Sequence, residues 1–178
     1  MNKAKRPRNK IKIANNTIYK VDQSGKIEYT THDTVIAIAN GKSFSILMKA
    51  SEKRLLHAMF RNAFNKNRQY LYEVFSALVY LLLINIKSHS QVIIDKEYPG
   101  KESLIKLHIL EYDKTGKILP ENIGFGLVGK KSSAHHLAYN TFKKIKKPSK
   151  IVKAQELMKV IFPSKKTGYS GISRTEGS

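Results

Sequence analysis

The acidic residues are the natural place to look for chemistry, because 13 Asp and Glu stand against 33 Lys and Arg. Asp22 ends the strand-like segment Tyr19-Lys-Val-Asp, and Asp95 ends Val92-Ile-Ile-Asp, with Glu97 two residues later. Two strands of a mixed sheet can lie side by side and bring such ends together. Paired carboxylates repel each other unless a divalent cation binds between them, and hard oxygen ligands suit Mg²⁺ or Mn²⁺. Two such ions could activate a water molecule and stabilise the leaving oxygen of a phosphodiester.

The elements that must position these carboxylates follow from apolar spacing and from turn signals. Strand-like segments are residues 11–22, 34–39, 43–48, 91–95 and 123–128. One helical pattern begins after Ser51, and four more cover residues 68–86, 101–111, 132–144 and 153–162. Asn40-Gly41 predicts a hairpin turn, because both positions tolerate positive φ. The order predicts an α/β fold: a mixed five-stranded sheet, three antiparallel strands followed by parallel strands, with helices on both faces.

The two ends of the chain differ in charge from its middle. Residues 1–20 carry seven basic and no acidic residues, and residues 143–178 carry ten basic and two acidic ones. Fifteen of the twenty net positive charges therefore lie at the ends. We interpret residues 1–10 as a basic disordered arm, residues 11–162 as a single domain and residues 163–178 as a flexible tail.

Charge and cysteine content restrict the class of protein. A net charge of +20 and a pI near 10 are typical of a protein that binds a polyanion, usually nucleic acid. A lysine-rich composition that only promotes solubility, or reflects an AT-rich genome, is the alternative. The absence of cysteine excludes disulfides and thiolate zinc sites, and it fits an intracellular protein, cytoplasmic or nucleoid-associated. The N-terminus lacks the apolar stretch of a secretory signal, and the longest apolar run, residues 77–84, is too short to span a bilayer, so we expect no membrane partner.

Lysine and serine residues surround the helix that follows the fifth strand. The run Gly129-Lys-Lys-Ser-Ser leads into the helix N-terminus, where free backbone N–H groups favour phosphate. Lysines at the end of the same helix would contact backbone phosphates without reading sequence, or would simply be a solvated charge run. The candidate nucleic-acid-binding residues are Ser24, Lys130, Lys131, Ser132, Lys143, Lys144, Lys146 and Lys147.

Two short motifs resemble the ribonuclease H-like nuclease superfamily, which includes ribonucleases H, RuvC-type resolvases, transposases and integrases. They are Val-Asp-Gln-Ser-Gly on the first strand and Ile-Ile-Asp at the end of the fourth. The resemblance covers residues 11–146 in element order. It implies a nuclease or strand-transfer site that depends on Mg²⁺ or Mn²⁺. The first-strand Asp of that family matches Asp22, and its fourth-strand Asp matches Asp95.

The last helix of the matching region departs from the family, which has an acidic residue or, in some RuvC-like members, a His there. It reads KKSSAHHLAYN, with two histidines and no carboxylate. His135 lies on the helical face that should border the sheet, whereas His136 lies on the wetter side. We therefore take His135 as a metal ligand or proton shuttle. The family also often has an acidic residue in the first helix, where this chain offers only Glu52 and the poorly placed Glu73.

These residues predict a metal-dependent nuclease-like protein that acts on phosphodiester bonds of DNA or RNA, structured or branched substrates included. Asp22, Asp95 and His135 would hold the metal ion, and Glu97 would complete the catalytic set. A non-catalytic basic nucleic-acid-binding module, or a ribonucleoprotein component on the same fold, is the alternative. The small size, the basic ends and the incomplete acidic set favour that alternative.

Each candidate residue also has a structural explanation. Asp22 before Gln-Ser-Gly could be a turn former, and Asp95 could cap the turn that leads to Pro99. Glu97 could be a solvated neighbour of the ligands. His135 could be a hydrogen-bonded structural residue. The distance between the Asp22 and Asp95 carboxylates distinguishes these interpretations, because the ligands of a shared Mg²⁺ each lie near 2 Å from the ion.

Overall fold

The computed structural model describes residues 18–64, 69–86 and 90–163. The predicted basic arm, residues 1–10, lies outside the described residues, and so does the predicted tail apart from Pro163. Residues 11–17 of the predicted first strand lie outside them as well. The assignments of the arm and the tail therefore stay predictions.

The described residues form one mixed sheet with helices packed on it. Its six strands are β1 (Tyr19–Ser24), β2 (Thr34–Ala39), β3 (Phe44–Met48), β4 (Val92–Asp95), β5 (Ile123–Gly126) and β6 (Lys150–Val152). Five α-helices accompany a 3-10 helix at Pro120–Asn122 in the same residues: α1 (Ala50–Phe64), α2 (Tyr70–Leu83), α3 (Glu102–Tyr112), α4 (Ser133–Phe142) and α5 (Ala154–Ile161). The strand order across the sheet is β5-β4-β1-β2-β3-β6.

Strand directions agree with the predicted mixed sheet. β1, β2 and β3 are antiparallel neighbours, β4 is parallel to β1, and β5 is parallel to β4. Alternate residues of the fully buried β2 face two different layers, because successive side chains of a strand point to opposite faces. Ile36 and Ile38 belong to the main core, whereas Val35 and Ala37 pack with Leu137 of α4. The predicted α/β class with helices on both faces is therefore confirmed.

The predicted count of five strands is wrong, because β6 adds a sixth strand beside β3 in the described residues. Leu47 of β3 lies opposite Ile151 of β6 in a parallel register. Ser45 and Ser149 join the two strands further, since the backbone N–H of each donates to the side-chain oxygen of the other, at 3.0 and 3.2 Å. Three residues are too few to show a strand periodicity, so this pairing becomes visible only in the tertiary structure.

The predicted turn at Asn40-Gly41 is present between β2 and β3. Asn40 has φ of 84° and Gly41 has φ of 142°, a region that Asn and Gly adopt more readily than other residues. The Asn40 side-chain amide also donates a hydrogen bond of 2.7 Å to the carbonyl oxygen of Ile18. The turn therefore connects β2 to β3 and holds the start of β1 beside them.

The α2 helix is nearly all apolar because it is enclosed by the rest of the fold. Ten of its fourteen residues are buried, and the helix packs against α3 and α5 as well as the sheet. The helices in the described ranges include none that is long and apolar enough to cross a membrane.

Gly25 follows β1 at a position that only glycine fits. Its φ is +76°, and a Cβ atom there would collide with the carbonyl oxygen of Asp33 and lie 2.7 Å from Cε2 of Phe142. Phe142 is the last residue of α4, so this close approach sets how near α4 lies to the end of β1.

We expect Gly25→Ala to lower the free energy of unfolding by about 2–4 kcal/mol, because left-handed strain and steric overlap add. Gly116→Ala is the matched control, since Gly116 has φ of +64° and open space around it. That control should lose only about 1–2 kcal/mol. Urea denaturation measures both values, and equal losses would show that the contact with Phe142 contributes nothing.

Candidate metal centre

Parallel pairing of β1 with β4 places the two predicted aspartates side by side. Val21 lies opposite Ile94 in the register of the two strands, and Asp22 and Asp95 follow these residues directly. Val21 and Ile94 point into the main core. Because strand side chains alternate between faces, Asp22 and Asp95 share the opposite face, which is the face that α4 covers.

Glu97 joins the two aspartates because the chain turns directly after β4. The Glu97 N–H donates to the carbonyl oxygen of Asp95 at 2.9 Å. One carboxylate oxygen of each of Asp22, Asp95 and Glu97 lies within 4.8 Å of the other two. Oxygens that bind one cation at about 2.0–2.5 Å must lie within about 5 Å of each other. This acidic triad, Asp22, Asp95 and Glu97, could therefore hold a metal ion.

The Asp22 carboxylate is held by two hydrogen-bond partners. Its Oδ1 accepts from the backbone N–H of Gln23 at 2.7 Å, and its Oδ2 lies 2.7 Å from Nδ1 of His135. An ionised carboxylate only accepts hydrogen bonds, so Nδ1 of His135 is the donor to Asp22, and in the neutral form of the ring with this tautomer the lone pair lies on Nε2. Each Asp22 oxygen retains a second lone pair for a cation. The neighbouring His136 is exposed, on the wetter side as predicted.

The Asp95 carboxylate is bound to the loop that follows β5. Its Oδ1 accepts the backbone N–H of Val128 at 2.7 Å. The predicted strand over residues 123–128 is two residues too long for this reason: β5 ends at Gly126, and the chain then turns so that Val128 faces the carboxylate. The apolar residues Leu127 and Val128 resemble a continuing strand in the sequence, but their backbone leaves the sheet.

Electrostatics of the triad indicate that a positive charge would be stabilised there. Burial raises the pKa of Asp22, and the charge of Asp95 raises it as well, against hydrogen bonds from Gln23 and His135 that lower it. Burial, followed by the charges of Asp95 and Asp22, raises the pKa of Glu97 to about 7. Burial is the main cause of both shifts, because a dehydrated carboxylate is less stable in its ionised form, and repulsion between the neighbouring carboxylates adds to it. A bound cation would lower both pKa values, because its positive charge stabilises the ionised carboxylates.

A buried lysine supports the loop beside the triad. Lys53 of α1 is fully buried, and its Nζ donates to the carbonyl oxygens of Lys26 and Tyr29 at 2.9 and 2.7 Å and to Oγ1 of Thr34 at 2.9 Å. Burial lowers the pKa of Lys53 to about 8. These three bonds fix the loop between β1 and β2, and with it Lys26, whose charge counteracts the raised pKa of Glu97.

The predicted nucleic-acid-binding residues divide into buried serines and exposed lysines. Ser24 is buried at the end of β1. Ser132 caps α4, because its Oγ accepts the backbone N–H of His135 at 3.1 Å. The exposed residues are Lys130, Lys131, Lys143, Lys144, Lys146 and Lys147. Within residues 18–64, 69–86 and 90–163 these lysines form no ion pair, so their charges face solvent at both ends of α4.

Glu52, the acidic residue of the first helix, has a structural role. Its Oε2 accepts the backbone N–H of Ala154, at the start of α5, at 2.8 Å. Glu52 is not a member of the acidic triad. The sequence ranks Glu97 below the two aspartates as a candidate, but in the structure Glu97 is the third carboxylate of the triad. The signal that favours it is its spacing, two residues after a strand end and just before the Pro99-Gly100 turn.

Comparison of this chain with family models, with curated proteins and with solved structures found no match.

We expect the raised pKa of Glu97 to appear in the pH dependence of stability without divalent ions. Between about pH 4.5 and 7 the folded protein keeps a proton on Glu97 that the unfolded chain has lost. The stabilisation that protonated Glu97 gives the folded protein is therefore complete below pH 4.5 and is lost as the pH rises to about 7. Glu97→Gln should lack this decline. Urea denaturation across this pH range measures the difference between the two proteins.

Glu121→Gln is the matched control, because Glu121 is exposed on the 3-10 helix. Its stability should follow that of the wild type at every pH. Parallel pH profiles for the wild type and Glu97→Gln would contradict the raised pKa. Addition of Mn²⁺ at pH 8 should stabilise the wild type more than Glu97→Gln, because binding to the folded state alone raises stability.

Proposed function

We propose that this protein is a metal-dependent nuclease with a ribonuclease H-like fold, which hydrolyses phosphodiester bonds of DNA or RNA. The observation that carries the proposal is the meeting of Asp22, Asp95 and Glu97 at the ends of two adjacent parallel strands. The antiparallel β1–β3 meander followed by parallel β4 and β5 is consistent with the motif resemblance.

The residues present fit Mg²⁺ or Mn²⁺. Carboxylate oxygens are the ligands that these ions prefer, and the described triad supplies three carboxylates from a compact site. Burial, with added repulsion between the carboxylates, raises the pKa of Asp22 and of Glu97, and both effects favour a cation between them. When bound, such ions lower the pKa of a water molecule and stabilise the charge of the leaving oxygen.

In this proposal His135 orients Asp22 and handles a proton, since its ring nitrogens are not among the three ligand atoms that lie within 4.8 Å of one another. The hydrogen bond between Nδ1 and Asp22 fixes the ring orientation and leaves Nε2 outside this contact. The imidazole side chain is 28% exposed, so the ring is accessible to water. Ser132 holds the first turn of α4, and this cap keeps His135 in register with Asp22.

The surface charge suits an anionic polymer. Exposed lysines at both ends of α4 flank the face of the sheet on which Asp22 and Asp95 lie. A phosphate backbone that runs along α4 would pass the triad and contact lysines on either side. Such contacts release counterions and make binding depend on salt.

We expect cleavage of labelled single-stranded, duplex, hybrid or branched nucleic acid in Mn²⁺ and none in EDTA. Asp95→Asn should lower the rate at least about 100-fold, the loss typical of removing a group that stabilises transition-state charge. Glu121→Gln, a change of equal charge at an exposed position, should cleave at the wild-type rate. Gel analysis of the products measures each rate.

Binding measured beside cleavage separates the two classes of function. Failure to cleave any substrate, together with tight binding unchanged in Asp95→Asn, would contradict the nuclease and favour a non-catalytic nucleic-acid-binding module. Titration calorimetry with Mn²⁺ alone tests the metal site independently. Asp95→Asn should weaken Mn²⁺ binding, because it replaces a charged ligand of the triad.

We also expect the lysines after α4 to set the salt dependence of binding. The quadruple change of Lys143, Lys144, Lys146 and Lys147 to Gln should reduce the slope of log K against log salt by up to about 3–4, since each phosphate that a lysine neutralises adds about 0.9 to that slope. The control variant replaces four exposed lysines away from α4, which are Lys42, Lys114, Lys117 and Lys159. Equal slopes for the two variants would contradict a specific role for α4.

A further inference from the structure

We propose that the acidic triad acts on a strand whose bases are unpaired, and that Leu127 and Tyr139 contact those bases. This inference rests on the proposed function and names its substrate class. Leu127 is 89% exposed and Tyr139 is 45% exposed. Each of the two side chains adjoins a group that is hydrogen-bonded to an aspartate of the triad.

Leu127 is held outward at the mouth of the site by its two neighbours. Gly126 pairs with Asp95 in the sheet, and the N–H of Val128 binds the Asp95 carboxylate at 2.7 Å. Val128 is buried and packs with Ala134 of α4. With both flanking residues anchored, Leu127 projects from a supported loop. It is the most exposed of the large hydrophobic residues in the described part of the chain.

Tyr139 lies one turn after His135 on α4 and continues the site along the helix. The two rings are nearly parallel, with 13° between their planes and 6.2 Å between their centroids. Nζ of Lys143 lies 5.7 Å from the centroid of the Tyr139 ring. A ligand that contacts Tyr139 would therefore lie close to both the His135–Asp22 pair and a positive charge.

These contacts select a strand with unpaired bases because of what each form of nucleic acid exposes. In a duplex the base faces are stacked on one another, so an aromatic ring or a leucine has no base face to meet. Single strands offer base faces to aromatic side chains, and each stacked base contributes about 5- to 150-fold in affinity. Apolar side chains inserted between bases likewise need unstacked steps. The lysines at both ends of α4 match the charge of the adjoining phosphates.

The test is binding in EDTA, which requires no cleavage. Fluorescence anisotropy compares a labelled single strand, as DNA and as RNA, with a blunt duplex of the same sequence. We expect the wild type to prefer single strands at least tenfold. Leu127→Ala and Tyr139→Ala should each lose about fivefold or more for single strands and little for the duplex. Tyr139→Phe should keep the wild-type affinity, because the phenyl ring still stacks.

The control for Leu127 is Leu107→Ala, because Leu107 is 51% exposed on α3, a helix of the opposite layer. It should bind both ligands as the wild type does. 2-Aminopurine in the single strand should change fluorescence on binding the wild type and Tyr139→Phe, and change less with Tyr139→Ala. Equal losses for single strand and duplex, or a loss in Leu107→Ala as large as that in Leu127→Ala, would overturn the inference.

Sedimentation of Leu127→Ala tests whether Leu127 instead forms a contact between copies of the chain. A change in oligomeric state in that variant would also overturn the inference.

Failure of this inference can be distinguished from failure of the proposed function. Single-strand binding through Leu127 and Tyr139 without any cleavage in Mn²⁺ would contradict the nuclease alone. Cleavage that favours intact duplex and does not respond to the two alanine variants would contradict the base contacts alone.

Discussion

The parallel pairing of β1 with β4 is the constraint on which the site depends. It sets Asp22 beside Asp95, although more than seventy residues separate them in the chain, because Val21 and Ile94 are register partners. The same residues are fully buried in the main core. Core packing therefore offsets the electrostatic cost of bringing carboxylates together, since a slip of β4 by one residue would turn Asp95 to the face opposite Asp22 and expose Ile94.

The α4 helix and the loop after β5 orient the two aspartate carboxylates through hydrogen bonds. The α4 helix binds Asp22 through His135, and the loop after β5 binds Asp95 through the N–H of Val128. Glycine at position 25 lets the end of α4 approach the end of β1. The site is thus assembled from four segments of the chain, and its carboxylates keep unused lone pairs while the lysines at the ends of α4 remain exposed.

Local patterns were sufficient to predict much of this arrangement. The Asn40-Gly41 turn and the apolar runs of β2 and β4 each depend on neighbouring residues alone. Local patterns could not predict β6, because its three residues become a strand only through pairing with β3. They also extended β5 through Val128, since the hydrogen bond that ends the strand comes from Asp95, 33 positions earlier.

The sequence by itself determined the scarcity and spacing of the carboxylates, the surplus of positive charge and the order of the strands and helices other than β6. These properties follow from residue type and local backbone preference. Only the tertiary structure decided that Glu97 lies with both aspartates, that His135 faces Asp22 and that Glu52 caps α5. The reason is physical: a side chain can share a ligand site only when its polar atom lies within a few ångströms of the others, and the register of distant strands and helices sets that distance.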